Sequence, residues 1–505
     1  MNLADAPFIH NKELLNQVRL VEAKSECKST HPVVHKFGGS SLCSPLAINR
    51  VAGIIGSHCH ENDLIIVSAM GDTTDLLFEL VRRYTVAEQN NDDKYSPDCS
   101  RVEAYQRSLI NQTLKTQAGA ELIAQLEDDI GRISFLLSRT LAWQTLNADD
   151  VISFGELWST RLVCTVLQHQ GIDCQRVDSR ALIFTVAQQD TLNSYTHSDS
   201  LIDWQKSQQA FNHWHDEFVA QPSTKSSTKV AVISGYIASD QRGNTVTLGR
   251  NGSDFSATII AKLSTASMVY LWTDVNGVYS ADPNLFADTK VIPVLGLNEA
   301  NALASLGSPV FHEKTLKPLQ DANIPIRIRN SQLSDEQRST NKGTLILPQP
   351  VPWLGAKTIA AKSSVCLFSI SWHNPLLQVE RNEQLAEELA YHQLPSYCWS
   401  DDKPTLTFCV REDDQQPVER LLNNVDKQCQ VTVQQQLSIV SLVGSELLRH
   451  SEHLAAYFSL LQKSNKAVLA YHFDSNGAIS AVIDDKNPTA LVSAIHQAIF
   501  VTPLN

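Results

Sequence analysis

An arginine between two glycines, followed by a serine and an aspartate that open an apolar run, is suited to holding an anion. The stretch Leu248–Thr258 (LGRNGSDFSAT) has this form: Gly249 and Gly252 flank Arg250, and Ser253-Asp254 precede Phe255–Leu263. Ser or Asp ahead of such a run is a helix N-cap signal. A glycine turn there leaves backbone N–H groups aimed outward, and the guanidinium offers a planar fork that matches a carboxylate. Lys36 stands just before Gly38-Gly39, where bare backbone lets phosphate oxygens approach while an ammonium neutralises them. The order is not that of a Walker A loop, in which the lysine follows the glycines. Asp274, ahead of the Asn276-Gly277 turn and Tyr279, could supply a carboxylate near a Mg²⁺–phosphate group. Taken singly, each has an ordinary alternative: a surface arginine on a glycine turn, a strand-end lysine in solvent, an aspartate capping a turn.

These residues need elements to bring them together. Val33–Phe37 predicts a short strand, Ser44-Pro45 starts a helix to about Ser57, and Leu64–Val67 (LIIV) predicts a buried strand followed by a helix from Asp75. Helical patterns fill about 101–147 and Ser153–Gln168, and strands are expected at Asp173–Val177, Lys229–Ser234, Met268–Trp272 and Ile326–Ile328, with helices near 298–307 and 312–322. Strand, glycine turn and helix in alternation describe a parallel α/β sheet. Four polar, glycine-bearing loops then follow strand ends, at 36–41, 68–75, 235 with 248–254, and 273–283. In an open α/β sheet that edge is where ligands bind.

With 505 residues, 43% hydrophobic and 19% charged, the chain is globular and long enough for two or three domains. A formal charge of −13 argues against nucleic acid or an anionic membrane as the main partner. Ten cysteines without a C-x-x-C pair predict reduced thiols and a cytoplasmic protein. No signal peptide or membrane span is expected. His58-Cys59-His60 and His213-Trp214-His215 lack metal-ligand spacing, so no protein metal site is expected, and Cys164 and Cys174 are read as core residues. Residues 1–32 read as an extension and 33–347 as one α/β domain. Beyond the proline-rich seam Pro348–Pro352, short strands (Val365–Ile370, Thr405–Val410, Gln430–Val433, Ser438–Val443, Ala467–His472, Ala478–Ile483) interleave with helices. They predict two ferredoxin-like βαββαβ modules over 353–505.

KFGGSS (Lys36–Ser41), VSAMGDTTD (Val67–Asp75), SFGELWSTRL (Ser153–Leu162), TLGRNGSDFSA (Thr247–Ala257) and WTDVNGVYSADP (Trp272–Pro283) resemble, in order, the motifs of the aspartokinases. The likeness is to the kinase half of methionine-type bifunctional aspartokinase–homoserine dehydrogenases. It implies an amino-acid-kinase fold, an α/β/α sandwich with a mainly parallel sheet, followed by two ACT modules through which a homodimer forms. It also implies phosphoryl transfer from ATP, with its Mg²⁺, to the β-carboxylate of L-aspartate. On the matching motifs, Lys36 would stabilise the transferring phosphoryl group, and Gly38, Gly39 and Ser40 would cradle phosphates. Arg250, Ser253 and Asp254 would position aspartate, Glu156 would take its ammonium, with Ser68 and Thr74 in the same pocket, and Thr273, Asp274 and Tyr279 would contact ATP. A carboxylate is already a nucleophile at neutral pH, so the work is positioning and charge stabilisation.

Two positions depart from the family pattern. Asn284 and Pro309 stand where many aspartokinases have cations near the nucleotide, with Lys314 further on, so a raised KM for ATP is expected. Ser371–Leu385 carries no glycine where feedback-sensitive members have an effector turn, so weak inhibition by lysine or threonine is expected. No G-x-G-x-x-G occurs, which fits a kinase-only chain or one half of a longer protein. Two other hypotheses are another carboxylate or carbamate kinase of this fold, and a degenerate kinase serving as a regulatory subunit.

Overall fold

The computed structural model describes residues 31–90, 96–138, 146–186, 202–221, 228–249, 251–306, 313–351, 355–392, 394–402, 405–426, 429–474 and 477–501, with Val18 and Val21 besides. Apart from those two, residues 1–30 of the expected extension 1–32 lie outside that set, as do residues 222–227. The chain forms two compact units. One comprises Met1–Gly277 with Lys314–Pro348, the other Val278–Glu313 with Gln349–Asn505. One cut falls after Pro348. Residues 278–313, which the sequence places in the α/β domain, group with the second unit.

The first unit is built on strands β1 (Val33–Phe37), β2 (Leu64–Val67), β3 (Asp173–Val177) and β4 (Lys229–Ser234), a hairpin of β5 (Ile237–Ser239) and β6 (Thr245–Thr247), and β7 (Met268–Thr273). After β8 (Val294–Gly296), which falls in the second unit, come β9 (Ile326–Asn330) and β10 (Thr344–Leu347). The sheet order is β3-β4-β2-β1-β7-β9-β10. All neighbours are parallel except β9 and β10. β2 and β4 are buried along their whole length, as continuous apolar runs require. Register decides what the sheet can do. Phe37 pairs with both Val67 and Trp272, and Val67 pairs with Ser234. Four strands therefore end level, and the loops after β1, β2, β4 and β7 leave from one edge.

Helix starts follow local chemistry. The Ser44 hydroxyl caps Pro45–His58 by accepting from the Ala47 N–H, with proline in the first turn. The next helix begins at Thr73 rather than at Asp75, because buried Thr73 turns its hydroxyl onto the Met70 carbonyl. Helix Trp204–Ala220, capped by Asp203, and the β5–β6 hairpin have no counterpart in the sequence expectations. Three-residue strands are too short to show a period.

The second unit carries β11 (Gly355–Ser371), β12 (Ser396–Asp402), β13 (Thr405–Arg411), β14 (Gln430–Ser445), β15 (Val468–Asp474) and β16 (Ala478–Ile483), in the order β12-β13-β11-β14-β16-β15. Two βαββαβ modules are present but interleaved, because β11 and β14 each serve both. Val365–Ser371 of β11 pairs with β13 and with Gln430–Leu437, whereas Gly355–Lys362 pairs with Ile439–Ser445. The expected strands Gln430–Val433 and Ser438–Val443 are thus one strand. The polar interruption Gln434–Gln436 marks a bend, at which Gln436 takes φ +60° opposite the irregular register near Ser364. Each module has its own core. Phe368, Leu385, Phe408 and Leu422 fill one; Ile359, Leu442, Tyr457 and Ile479 fill the other. Glu299 and Lys357 form an ion pair at 2.6 Å with both side chains almost fully buried.

Candidate active site

The level strand ends of the first unit enclose a cavity of about 770 Å³. It is lined by Lys36, Gly39, Ser68, Gly71, Thr74 and Glu156, together with Tyr236, Thr247, Gly249 and Asn251–Asp254. Backbone bonds stitch its rim: the Ser68 N–H donates to the Phe37 carbonyl, Gly71 to Gly39, and Gly235 to Val67. Two glycines are required by close approach. A Cβ at Gly39 would lie 3.0 Å from the Ala69 carbonyl oxygen, and one at Gly235 would lie 2.8 Å from the Ser253 Cβ.

Helix Gly252–Leu263 starts at this cavity. Its N-cap Asn251 adopts the left-handed conformation (φ 55°, ψ 28°) and makes no side-chain capping bond, so Gly252–Asp254 present a helix N-terminus, favourable to negative charge. Asp254 Oδ1 lies 2.5 Å from Lys36 Nζ, with both side chains largely buried. The pair bridges β1 and this helix and holds the ammonium at the cavity wall. The Lys314 ammonium, from a helix distant in sequence, donates to the Leu248 carbonyl at 3.4 Å at the base of the glycine turn. The sequence named Lys314 only as a residue further along.

Glu156 lies opposite in character. It projects from helix Phe154–His169 and is 2% exposed. Its Oε1 accepts a long bond of 3.4 Å from the Ala69 N–H, and its Oε2 has no partner. Burial pushes its pKa up to about 8, offset in part by the Ala69 N–H. Burial likewise raises the phenol of Tyr236, which the Thr247 hydroxyl contact opposes. Asp149 fixes Thr247 through both its N–H and its hydroxyl. An unpaired, buried carboxyl facing a polar cavity is a site for a cation, and an ammonium is the cation whose three donors fit a carboxylate pocket.

Lys36, Gly39, Ser68, Thr74, Glu156, Ser253 and Asp254 therefore share one cavity. Arg250 lies outside the described residues, as do Pro309 and His312; its neighbours Gly249 and Asn251 both line the cavity. Gly38, Ser40, Thr273 and Asp274 sit at the adjoining ends of β1 and β7 and are not part of its lining. The Gly38 N–H bonds the Trp272 carbonyl, and the Thr273 hydroxyl donates to Asp274 Oδ1 at 3.0 Å. Tyr279 belongs to the second unit, where its carbonyl accepts from the Thr358 hydroxyl. Tyr236 and Thr247 were not singled out as site residues, because nothing in their local pattern marks a hairpin folded back over the cavity.

His35, Cys59 and Asp63 cluster with possible ligand atoms within 4.8 Å of one another. The Trp272 indole N–H, which can only donate, faces His35 Nδ1 at 3.2 Å. His35 Nε2 lies 3.6 Å from Asp63 and makes no hydrogen bond. Asp63 accepts from the Val33 and His60 N–H groups. Both Asp63 oxygens are thus taken by backbone donors.

The model of the amino acid kinase family matches residues 31–330. The chain is 28% identical over 482 residues to bifunctional aspartokinase/homoserine dehydrogenase 2 of Escherichia coli (strain K12), covering 92% of this chain and 54% of that one. It therefore spans about half the length of that relative. It is 28% identical over 495 residues to the chloroplastic aspartokinase 3 of Arabidopsis thaliana, covering 95% of this chain and 83% of that one. Its fold is similar to that of E. coli aspartokinase III solved with aspartate and ADP, with a TM-score of 0.73, 21% identity, and coverage of 93% and 100% of the two chains. With the larger part of the sequence matched and the parallel sheet ending level at one polar cavity, the chain belongs to the amino acid kinase family.

Proposed function

We propose that the chain transfers the γ-phosphoryl group of ATP to the β-carboxylate of L-aspartate, giving 4-phospho-L-aspartate and ADP. The observation that carries this is the pairing, in one cavity, of an unpartnered buried carboxylate (Glu156) with a cation and a helix N-terminus (Lys36, Gly252–Asp254). A ligand satisfying both ends needs an ammonium and a carboxylate, and an acidic amino acid has both. Relatives named aspartokinases support the choice of aspartate.

In this reading Glu156 takes the α-ammonium, with Ser68 and Thr74 beside it. Arg250 and the first turn of helix Gly252–Leu263 take the α-carboxylate, and Ser253 and Asp254 orient the substrate. A β-carboxylate oxygen attacks the γ-phosphorus, the bond to the bridging oxygen breaks, and ADP leaves. Lys36 offsets charge on the transferring group, and Asp254 holds its ammonium in place. Gly38, Gly39, Ser40, Thr273 and Asp274 contact the nucleotide. The Mg²⁺ that travels with ATP supplies further charge neutralisation, and the Asp274 carboxylate is of a type that can ligate it.

Among the described residues no helix is long and apolar enough to cross a membrane. We place the protein in the cytoplasm as a homodimer through its second unit, in keeping with Tyr471 (43% exposed) and Phe473 (55% exposed) on edge strand β15. Hydroxamate trapping of the acyl phosphate with Mg²⁺–ATP tests the activity. Trapping is expected with L-aspartate and not with L-glutamate; none with either substrate overturns the reading and favours a regulatory subunit, for which Asn284 speaks. Sedimentation velocity tests the dimer.

A further inference from the structure

We propose that Cys164 and Cys174 are a redox modification site, joined as a reversible disulfide when the protein meets a hydroperoxide. Cys164 lies on helix Phe154–His169 and Cys174 on edge strand β3. Their sulfurs are 2.8 Å apart, inside ordinary sulfur–sulfur contact and within an ångström of the bond length of about 2.05 Å. The surroundings hold them there. The Cys174 carbonyl accepts from the Cys164 thiol at 3.4 Å and from Gln168 Nε2 at 2.9 Å, and Cys174 is in register with Val230 of β4. The pair is buried but not sealed. Cys164 lines a cleft of about 430 Å³ with Asp128, Asp129, Arg132, Arg161, Gln168 and Arg176, which admits a molecule of peroxide size to the nearer sulfur.

The chemistry follows from this asymmetry. The Cys164 thiolate attacks one peroxide oxygen and breaks the O–O bond, giving a sulfenic acid; the expelled hydroxide takes up the thiol's proton as water. Burial and the neighbouring sulfur hold the Cys174 thiol well above its usual range, so it stays protonated until the sulfenic acid stands beside it. Cys174 then attacks Cys164 Sγ, and its proton leaves with the sulfenic hydroxyl as a second water. In sum, two thiols and one hydroperoxide give one disulfide and two waters (or a water and an alcohol), and a small dithiol reverses it. The bond would tie the second half of the helix that carries Glu156 to the edge of the sheet.

The tryptic peptide Leu162–Arg176 contains both cysteines and no others, so the full chain can be assayed directly. After reduction, brief exposure to hydrogen peroxide and quenching with iodoacetamide, this peptide is expected about 2 Da lighter than its reduced, unlabelled form, without alkylation. Dithiothreitol should restore two alkylatable thiols. The melting midpoint of the folded protein should rise by a few degrees on oxidation, a shift absent from Cys164→Ser and Cys174→Ser. Exposed Cys43 serves as the internal reference for general oxidation. Two alkyl groups on the peptide after peroxide has oxidised Cys43 would overturn the proposal. So would Cys164 advancing to sulfinic acid without a bridge. The mass map on the unmodified chain stands even if a serine variant fails to fold.

Discussion

Two deeply buried glutamates, one in each compact unit, are treated in opposite ways. In the second, Glu299 is buried with every oxygen engaged. Oε2 takes the Lys357 ammonium and the Gly296 N–H, and Oε1 takes the Ser445 hydroxyl. In the first, Glu156 is as deeply buried, yet one oxygen is unpartnered and the other accepts a single long bond. A satisfied buried ion pair fixes a fold, and removing one member leaves an uncompensated charge. An unsatisfied carboxyl is a cost that the fold bears for a ligand. Equal burial therefore does not mean equal role: the count of partners separates structure from function.

The contrast can be broken in several places. The largest expected effect is on stability in the second unit. Lys357→Met should cost about 3–5 kcal/mol by leaving Glu299 charged and buried, read as a lower denaturant midpoint. Adding Glu299→Leu should return most of it; if the single change is silent, the ion pair is not what holds that unit. Next comes Lys36→Met in the first unit. Loss of about 10²–10³-fold in kcat is expected, the size of one preorganised charge-stabilising contact, with an unchanged circular dichroism spectrum. A variant retaining full turnover would remove Lys36 from the chemistry.

Glu156→Gln sharpens the comparison. It should raise the KM for aspartate by roughly 10–100-fold, the worth of one charge-assisted hydrogen bond of about 1.5–3 kcal/mol, and leave stability unchanged or improved. An unmoved KM would separate Glu156 from the substrate. The last test is a pH slope. Folding raises the Glu156 pKa from 4.5 to about 8, so the folded chain holds its proton more tightly than the unfolded chain. Its contribution to stability is complete below about pH 4.5 and is lost as pH rises toward about 8. An ammonium ligand reverses this by favouring the carboxylate. Calorimetry in buffers of different ionisation enthalpy should show proton release on aspartate binding near pH 7, absent in Glu156→Gln.

Much of the first unit was legible because its signals are local. Val33–Phe37 and Leu64–Val67 are short apolar runs bounded by glycine or polar turns, and Ser44-Pro45 is a complete helix start. The second unit was legible in kind but not in connection. The bend at Gln436 divides β14 into two apparent strands, and nothing local reveals that β11 and β14 each serve two modules. Within the site, Lys36 and Glu156 stood out by type and motif. Tyr236 and Thr247 did not, since they reach the cavity through a hairpin of three-residue strands.

By itself the sequence determined the alternation of strand, glycine turn and helix, and with it the edge of a parallel sheet at which polar loops must gather. That information is written in neighbouring residues, where backbone preference and apolar period act. Only the tertiary structure decided that Lys36 is held by Asp254, more than two hundred positions away, and that Glu156 is buried with an oxygen to spare. Pairing and desolvation depend on which distant surfaces close over a side chain, and no local pattern encodes that.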